Sequence, residues 1–441
     1  MPLSHLPRFL ASAFRDLARW LHPDSAARLP RLLLGLLFAR GRRTVTSWFR
    51  AAGITDDFRP AYTTVCAVGR EASHLAVSTV LAVKPLLVGP RLTVAIDDTP
   101  TPRYGPEVEG AGVHHNPNPG PAGAPFVYGH VWVSLALLGR HPERGTVALP
   151  VQARIYIRRA DLEALPVQRR RPFHTKLDLA AQQLRWLTPW VRRDYAERWA
   201  VVDGGYAKRP FLAPAVAAGW VVVGRLRKDA ALCSVPGPKP PGRRGPAPTY
   251  GKQRLSLAKR AGQRGGWQQV PCVQYGRAVT KTVKTFLATW RPAGGLIRVV
   301  LVRESDGWVA FFCTRAAASA AEVLETAADR GAIEQTFKDV KEVWGAGQQQ
   351  VRNVYSNEGC FNLNLWLYSL VEAWAWEKAE EGLSHRSASP WDNEPRRPSH
   401  QDKRKALQRA VLQGEIQEVL GRPPTAEGMR ALARRLLQWA A

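Results

Sequence analysis

Apolar positions in the first 90 residues recur at helical spacing. Phe9, Phe14, Leu17 and Leu21 share one face, with arginines between them. Thr44 is a cap candidate ahead of the apolar-periodic stretch Val45 to Arg50. A helix-turn-helix and a plain helical bundle over the core both fit this region. From residue 91 the period shortens to that of strands. Leu92 to Ile96, Phe126 to Leu138 and Thr146 to Ile157 predict three antiparallel strands. A loop rich in Gly, Pro and Asn (105–125) lies between the first two. His174 to Leu187 predicts an amphipathic helix, and Trp199 to Val202 a short buried strand. A helix over 206–218 and a strand over Trp220 to Val223 follow; this βα alternation predicts parallel additions to the sheet.

Strand patterns return at Leu296 to Arg303 and Trp308 to Thr314. The last third reads as helices over Ala318 to Trp344 and about 357–380, a Pro/Ser-rich break (385–400), and a basic helical tail from Lys403 to Ala441. The units expected are an N-terminal helical region (1–90), a core in two parts (91–229 and 301–384), a β-rich basic insertion (230–300) and a helical tail (385–441). No internal repeat is visible. The fold class is α/β.

Composition sharpens the picture. The 441 residues carry 63 Lys+Arg against 36 Asp+Glu, a net charge of +27, and 45% are apolar. That apolar share supports a packed core and excludes a disordered chain. The charge predicts a polyanionic partner, most often nucleic acid. Between Asp229 and Glu304 there are fourteen Lys or Arg and no acid, interleaved with Tyr250, Trp267, Tyr275 and Trp290. This suits a surface that tracks a nucleic-acid backbone. Trp290 is a candidate for stacking on a displaced base, with core packing the alternative. The five cysteines show no Cys-x-x-Cys spacing, so a zinc module and a disulfide framework are both unexpected. The longest apolar run, Leu32 to Ala39, is too short to span a bilayer. Arg8, Arg15 and Arg19 interrupt the N-terminus, so no signal peptide is expected. The expected location is the cytoplasm of a bacterium, at the nucleoid.

Three carboxylates stand out. Asp97, with Asp98 beside it, closes one predicted buried strand; Asp203 closes another; Glu334 lies on a long predicted helix. A carboxylate at the end of a buried strand is costly unless solvated, paired or bound to a cation, and strand ends are where open α/β sheets bind ligands. Taken singly, Asp97-Asp98 and Asp203 also fit turns or caps. Around Glu334, a helix of 100° per residue puts Arg330, Glu334, Lys338 and Lys341 within a stripe about 80° wide. Ile333, Phe337, Val340 and Trp344 form the apolar stripe beside it. Ion pairing along an exposed helix would also produce Arg330–Glu334–Lys338. Oxygen-only ligands suit Mg²⁺ or Mn²⁺ rather than zinc.

Strand–Asp, strand–Asp and helix–Glu in this order resemble the RNase H-like DDE transposases. Arg330-x3-Glu334-x6-Lys341 is similar to the Tyr-x2-Arg-x3-Glu-x6-Lys signature of bacterial insertion-sequence transposases. Asp97-Asp98-Thr99 resembles their first motif and Val202-Asp203-Gly204-Gly205-Tyr206 their second, with Arg225-Leu226-Arg227-Lys228 after the next strand. The family Tyr position falls on Ala327. The resemblance implies an RNase H-like mixed sheet flanked by helices, with the β-rich insertion between the second Asp and the Glu. It implies Asp97, Asp203 and Glu334 as catalytic residues and ligands of two divalent ions. Asp97 is preferred because Thr99 stands two residues on; Asp98 is the alternative. Arg330, Lys338, Lys341, Arg225, Arg227 and Lys228 become candidate DNA contacts. The implied activity is hydrolysis of a phosphodiester at an element's ends, then transfer of the freed 3′-OH into target DNA. The implied partners are double-stranded DNA and a second copy of the chain in a synaptic dimer. Residue chemistry by itself supports only the nuclease step.

A non-catalytic basic DNA-binding protein is the competing reading. A glycosidase with two carboxylates leaves the charge unexplained. His114, His115, His130 and His174 lack zinc spacing and are assigned to structure or surface.

Overall fold

The computed structural model describes residues 6–116, 123–239, 244–384, 396–420 and 425–440. Parts of the predicted loop (117–122), the insertion (240–243), most of the predicted break at 385–400, and Ala441 lie outside the described residues.

The chain opens with five helices: α1 (Arg8–Ala18), α2 (Pro23–Phe38), α3 (Val45–Ala51), α4 (Arg59–Arg70) and α5 (Ala72–Val83). The Thr44 side chain accepts from Ser47 N at 3.2 Å and starts α3, as its sequence position predicts. Next come β1 (Arg91–Pro102), β2 (Gly112–His115), β3 (Phe126–His141) and β4 (Gly145–Tyr156). A short α6 (Arg159–Glu163) precedes α7 (Lys176–Val191), which opens with a Thr175/Asp178 capping box. β5 (Glu197–Val202), α8 (Arg209–Ala217) and β6 (Val221–Leu226) supply the βα alternation. The insertion contains β7 (Leu232–Cys233), β8 (Arg254–Leu255), α9 (Leu257–Gly262), β9 (Gln268–Gln274) and β10 (Arg277–Trp290). β11 (Gly295–Glu304), β12 (Gly307–Cys313), α10 (Ala320–Asp329), α11 (Gly331–Glu342), α12 (Val354–Trp374), α13 (Glu380–Leu383), α14 (His400–Leu420) and α15 (Ala426–Ala440) complete the chain.

The described strands form one twelve-stranded mixed sheet ordered β2-β3-β1-β5-β6-β12-β11-β10-β7-β8, with β4 on β3 and β9 on β10. β1–β5 and β5–β6 are parallel and the other pairs antiparallel. This mixed α/β architecture is consistent with an RNase H-like DDE fold. α7 and α8 pack on one face, against Val94 and Ile96 of β1. α10 and α11 pack on the other, where Ile333 and Phe337 meet Ala95, Trp199 and Val201. The N-terminal helices share a third apolar cluster with α12, so they cover the core as a bundle. α12 lies along the open edge of β4. Asn362 bonds both N and O of Ala153 (2.9 and 3.0 Å), and Trp366 donates to Val151 O at 2.7 Å. These side chains satisfy backbone groups that an edge strand would otherwise expose.

Three features depart from the sequence reading. β1 does not stop at Asp97 but runs on to Pro102. Its pairing with β5 ends at Ile96↔Val202, while its pairing with β3 continues to Pro102↔Gly129. Beyond Ile96 one edge of β1 is therefore open, which is where a strand tolerates Pro100. The predicted single helix over 318–344 is two, α10 and α11, meeting at Arg330. At that junction the ring of Tyr275, from the β9–β10 turn, lies about 3.1 Å from where a Cβ on Gly331 would sit. The insertion is continuous with the main sheet through β10–β11, and Val273 N donates to Glu325 of α10 at 3.0 Å.

Candidate active site

Strand geometry sends Asp97 and Asp98 to opposite faces of the sheet. Asp97 emerges on the side of α10 and α11. Its Oδ2 accepts from the Arg330 guanidinium at 2.7 Å, and its Oδ1 from the Asp98 backbone N–H at 2.8 Å. The other arm of Arg330 donates to Glu334 Oε1 at 2.6 Å, one turn along α11. Arg330 therefore ties the first carboxylate to the third. Asp203 follows the last residue of β5, beside the point where β1 loses its neighbour. Its side chain accepts weakly from Gly205 N at 3.4 Å and stays exposed. The charge of Asp203 acts on Asp97: burial pushes the Asp97 carboxyl up to about 7 against the pull of Arg330, and Asp98 and Asp203 add like charge.

Asp98 points to the α7 side. Lys176 Nζ donates to it at 2.6 Å and Tyr206 O–H at 2.9 Å. Burial, and then the charges of Asp98, Asp97 and Asp203, push the Tyr206 phenol well above its ordinary range, so it remains a donor. Asp98 is thus a paired carboxylate facing away from Glu334. Lys176 and Tyr206 are the neighbours that sequence reasoning missed. Tyr206 was visible beside Asp203 in the second motif, whereas Lys176 carried no signal, because only the tertiary fold brings α7 to β1.

The remaining candidates divide. Lys338 is exposed on α11. Lys341 is half-buried, its ammonium has no partner among the described residues, and burial lowers its basicity. Arg225, on β6, runs past Gly204, beside Asp203: a Cβ on Gly204 would stand 3.4 Å from Arg225 O. Arg227 instead pairs with Asp229 at 3.0 Å, and Lys228 lies over the Trp308 ring at 5.1 Å. Trp290 is not a surface aromatic. It is 6% exposed and packs edge-on against Phe312 at 5.1 Å, because the alternation of β10 turns Ala288 and Trp290 into the core. Other aromatics of the insertion lie under cations: Trp267 under Lys284 and Arg303, Tyr250 under Arg291. His130 is buried and its basicity falls to about 3 through burial and the nearby Arg103, which donates to its Nδ1 at 3.1 Å.

The donor set suits a hard divalent cation, since Asp97, Asp203 and Glu334 offer only carboxylate oxygens. Among the described residues no three acidic, His or Cys side chains are grouped tightly enough to enclose an ion. The Arg330 guanidinium holds the position of a cation between Asp97 and Glu334.

Residues 13–291, well over half of the chain, match the family model described as DDE superfamily endonuclease. The chain belongs to this family. It is thereby a nuclease-type enzyme, with DNA as the implied substrate. The match includes Asp97, Asp98 and Asp203; Glu334 lies beyond it. No curated protein matches the chain significantly. No helix among the described residues is long and apolar enough to cross a membrane.

Proposed function

We propose that this DDE endonuclease is a transposase that hydrolyses phosphodiesters at the ends of a DNA element and joins the freed 3′-OH to target DNA. The observation that carries this reading is the junction of Asp97 and Glu334 through Arg330, with Asp203 at the adjacent strand end. Asp97, Asp203 and Glu334 would hold Mg²⁺ or Mn²⁺, two ions by resemblance. The chemistry such ions supply is activation of water and neutralisation of charge at phosphorus. Asp97 suits that role because its neighbours leave its charge undercompensated. Asp98, held by Lys176 and Tyr206, keeps the strand end in register. Arg330, Lys338 and Lys341 form one stripe beside Glu334 and would position the phosphates flanking the scissile bond; a half-buried ammonium without a partner gains most from such a contact. Two ends must be brought together for transposition, so a dimer belongs to the proposal, as do the insertion-sequence group and a bacterial, nucleoid location.

The test is cleavage of DNA carrying the element's own flanking ends with Mg²⁺ or Mn²⁺, comparing wild type with Glu334→Gln. Metal-dependent cleavage by wild type, lost in the variant while DNA binding persists, is the expected result. DNA binding without cleavage by either protein would instead make the chain a basic DNA-binding protein that keeps the fold.

A further inference from the structure

A cavity of about 740 Å³ lies between the α2–α3 connection and α14, away from the carboxylates. Arg40, Arg43, Arg404, Lys405 and Arg409 line it, and no described lining residue is acidic. Arg404 forms the floor. Its guanidinium donates to Leu37 O and Ala39 O at the end of α2 (2.8 Å each) and to Val343 O just past α11 (2.7 Å). Arg43 donates to Glu342 O at 3.3 Å, while its Nε is buried without a partner among the described residues. Two helix C-termini thus fix two of the cations. Burial, and then the charges of Arg43 and Arg40, lower the basicity of Arg404 to about 9, so the cations repel one another across the cavity. Lys405 is exposed and Arg409 half-buried, and neither pairs with an acid among the described residues.

The cavity sits at the far end of the helix that carries Glu334. From Glu334 to Glu342 is about 12 Å at 1.5 Å per residue. At 3.4 Å per nucleotide along a duplex, that distance corresponds to about three or four phosphates. Lys338 and Lys341 lie on the stripe between.

We propose that this cavity is a second DNA subsite, which grips backbone phosphates about three to four nucleotides from the scissile bond and sets the reach of the duplex along α11. The proposal rests on the nuclease reading of the Asp97 site and adds a contact outside it. Arg43 and Arg404 are the fixed wall; Lys405 and Arg409 are the arms that close on phosphate. A built, acid-free cavity with an unsatisfied guanidinium N–H differs from a solvated charge run, because its cations are crowded before any ligand arrives.

The experiment measures binding of a duplex of about 30 base pairs between ~50 and ~200 mM salt by fluorescence anisotropy, for wild type and the Lys405→Ala/Arg409→Ala double variant. Each lost phosphate contact removes about 0.9 from the slope of log K against log salt, so the variant slope should be shallower by nearly 2, with affinity weaker by some tens of fold at ~0.1 M salt. In parallel, acetylation of Lys405 in wild type is followed by mass spectrometry with and without the duplex, and with inorganic phosphate at equal phosphate concentration. Protection by duplex alone supports the subsite. An unchanged slope, or equal acetylation with and without duplex while DNA is bound, overturns it and leaves the nuclease reading standing. Equal protection by inorganic phosphate reassigns the cavity to a free anion and also overturns it. Wild type without salt-dependent duplex binding overturns both readings.

Discussion

Asp97 and Glu372 are both taken out of water, and their neighbours leave them in opposite states. Glu372, on α12, is 3% exposed. His400 Nδ1 lies 2.6 Å from one of its oxygens and Lys403 Nζ 2.5 Å from the other. Trp344 Nε1 donates to His400 Nε2 at 2.7 Å, which leaves Nδ1 as the donor toward Glu372, and the Tyr368 ring stacks on the imidazole at 4.0 Å. Burial pushes the Glu372 carboxyl up, but Lys403 and His400 outweigh it and bring it down to about 2. Asp97 has one guanidinium, shared with Glu334, and two like charges nearby, and it rises to about 7. The first arrangement pins α14 to α12 and is electrically complete. The second holds negative charge that the protein alone does not balance, as a site built for an added cation would.

The largest effect that could break this comparison is on catalysis. Asp97→Asn is expected to slow cleavage by about three orders of magnitude, or roughly 4 kcal/mol of barrier, in a single-turnover assay. Its thermal unfolding at neutral pH should not fall below that of wild type, because a buried charge that Arg330 only partly compensates is removed. Glu372→Gln should do the reverse. It leaves Lys403 buried without its partner and should cost about 3–5 kcal/mol in urea unfolding. A Glu372→Gln protein as stable as wild type would remove the structural half of the comparison.

The pH dependence separates the two carboxylates by sign. The folded-state value of Asp97 lies above its unfolded value of 3.8, so its contribution is fully present below pH 4 and is lost as pH rises through about 7. With about 1.4 kcal/mol per unit, roughly 4 kcal/mol is the ceiling of that loss. Glu372 is depressed from 4.5 to about 2, so its contribution is present above pH 4.5 and is lost as pH falls through 2. Urea midpoints across pH should lose the first slope in Asp97→Asn and keep the second. The smallest expected effect is that of Tyr206→Phe, which removes one donor from Asp98. It should cost about 1–2 kcal/mol of stability and change cleavage less than tenfold; a loss matching that of Asp97→Asn would put Asp98 in the chemistry.

Much of the placement of these carboxylates was legible because periodicity reports faces. Apolar strands before Asp97 and Asp203 and an amphipathic helix bearing Glu334 suffice to place three carboxylates near a sheet. The alternation of β1 also requires Asp97 and Asp98 to face opposite ways. Which face α11 covers depends on the connections between strands, which local pattern does not encode. The junction at Arg330 carries no local sequence signal; the ring of Tyr275, from another part of the chain, lies beside Gly331 there. The basic neighbourhood of Trp290 predicts a surface aromatic, but strand parity turns it inward. The pairing of Lys176 with Asp98 and the bonds of Arg404 to Leu37 and Val343 join residues far apart in sequence, so no spacing could announce them.

On the proposed reading the Asp97 site takes an added divalent cation and the Glu372 site does not. Direct titration of Mn²⁺, read from the electron paramagnetic resonance of the free ion, tests it without reference to cleavage. The account predicts Mn²⁺ binding in wild type that is lost in Asp97→Asn and retained in folded Glu372→Gln. Mn²⁺ binding of equal affinity in wild type and Asp97→Asn would contradict it.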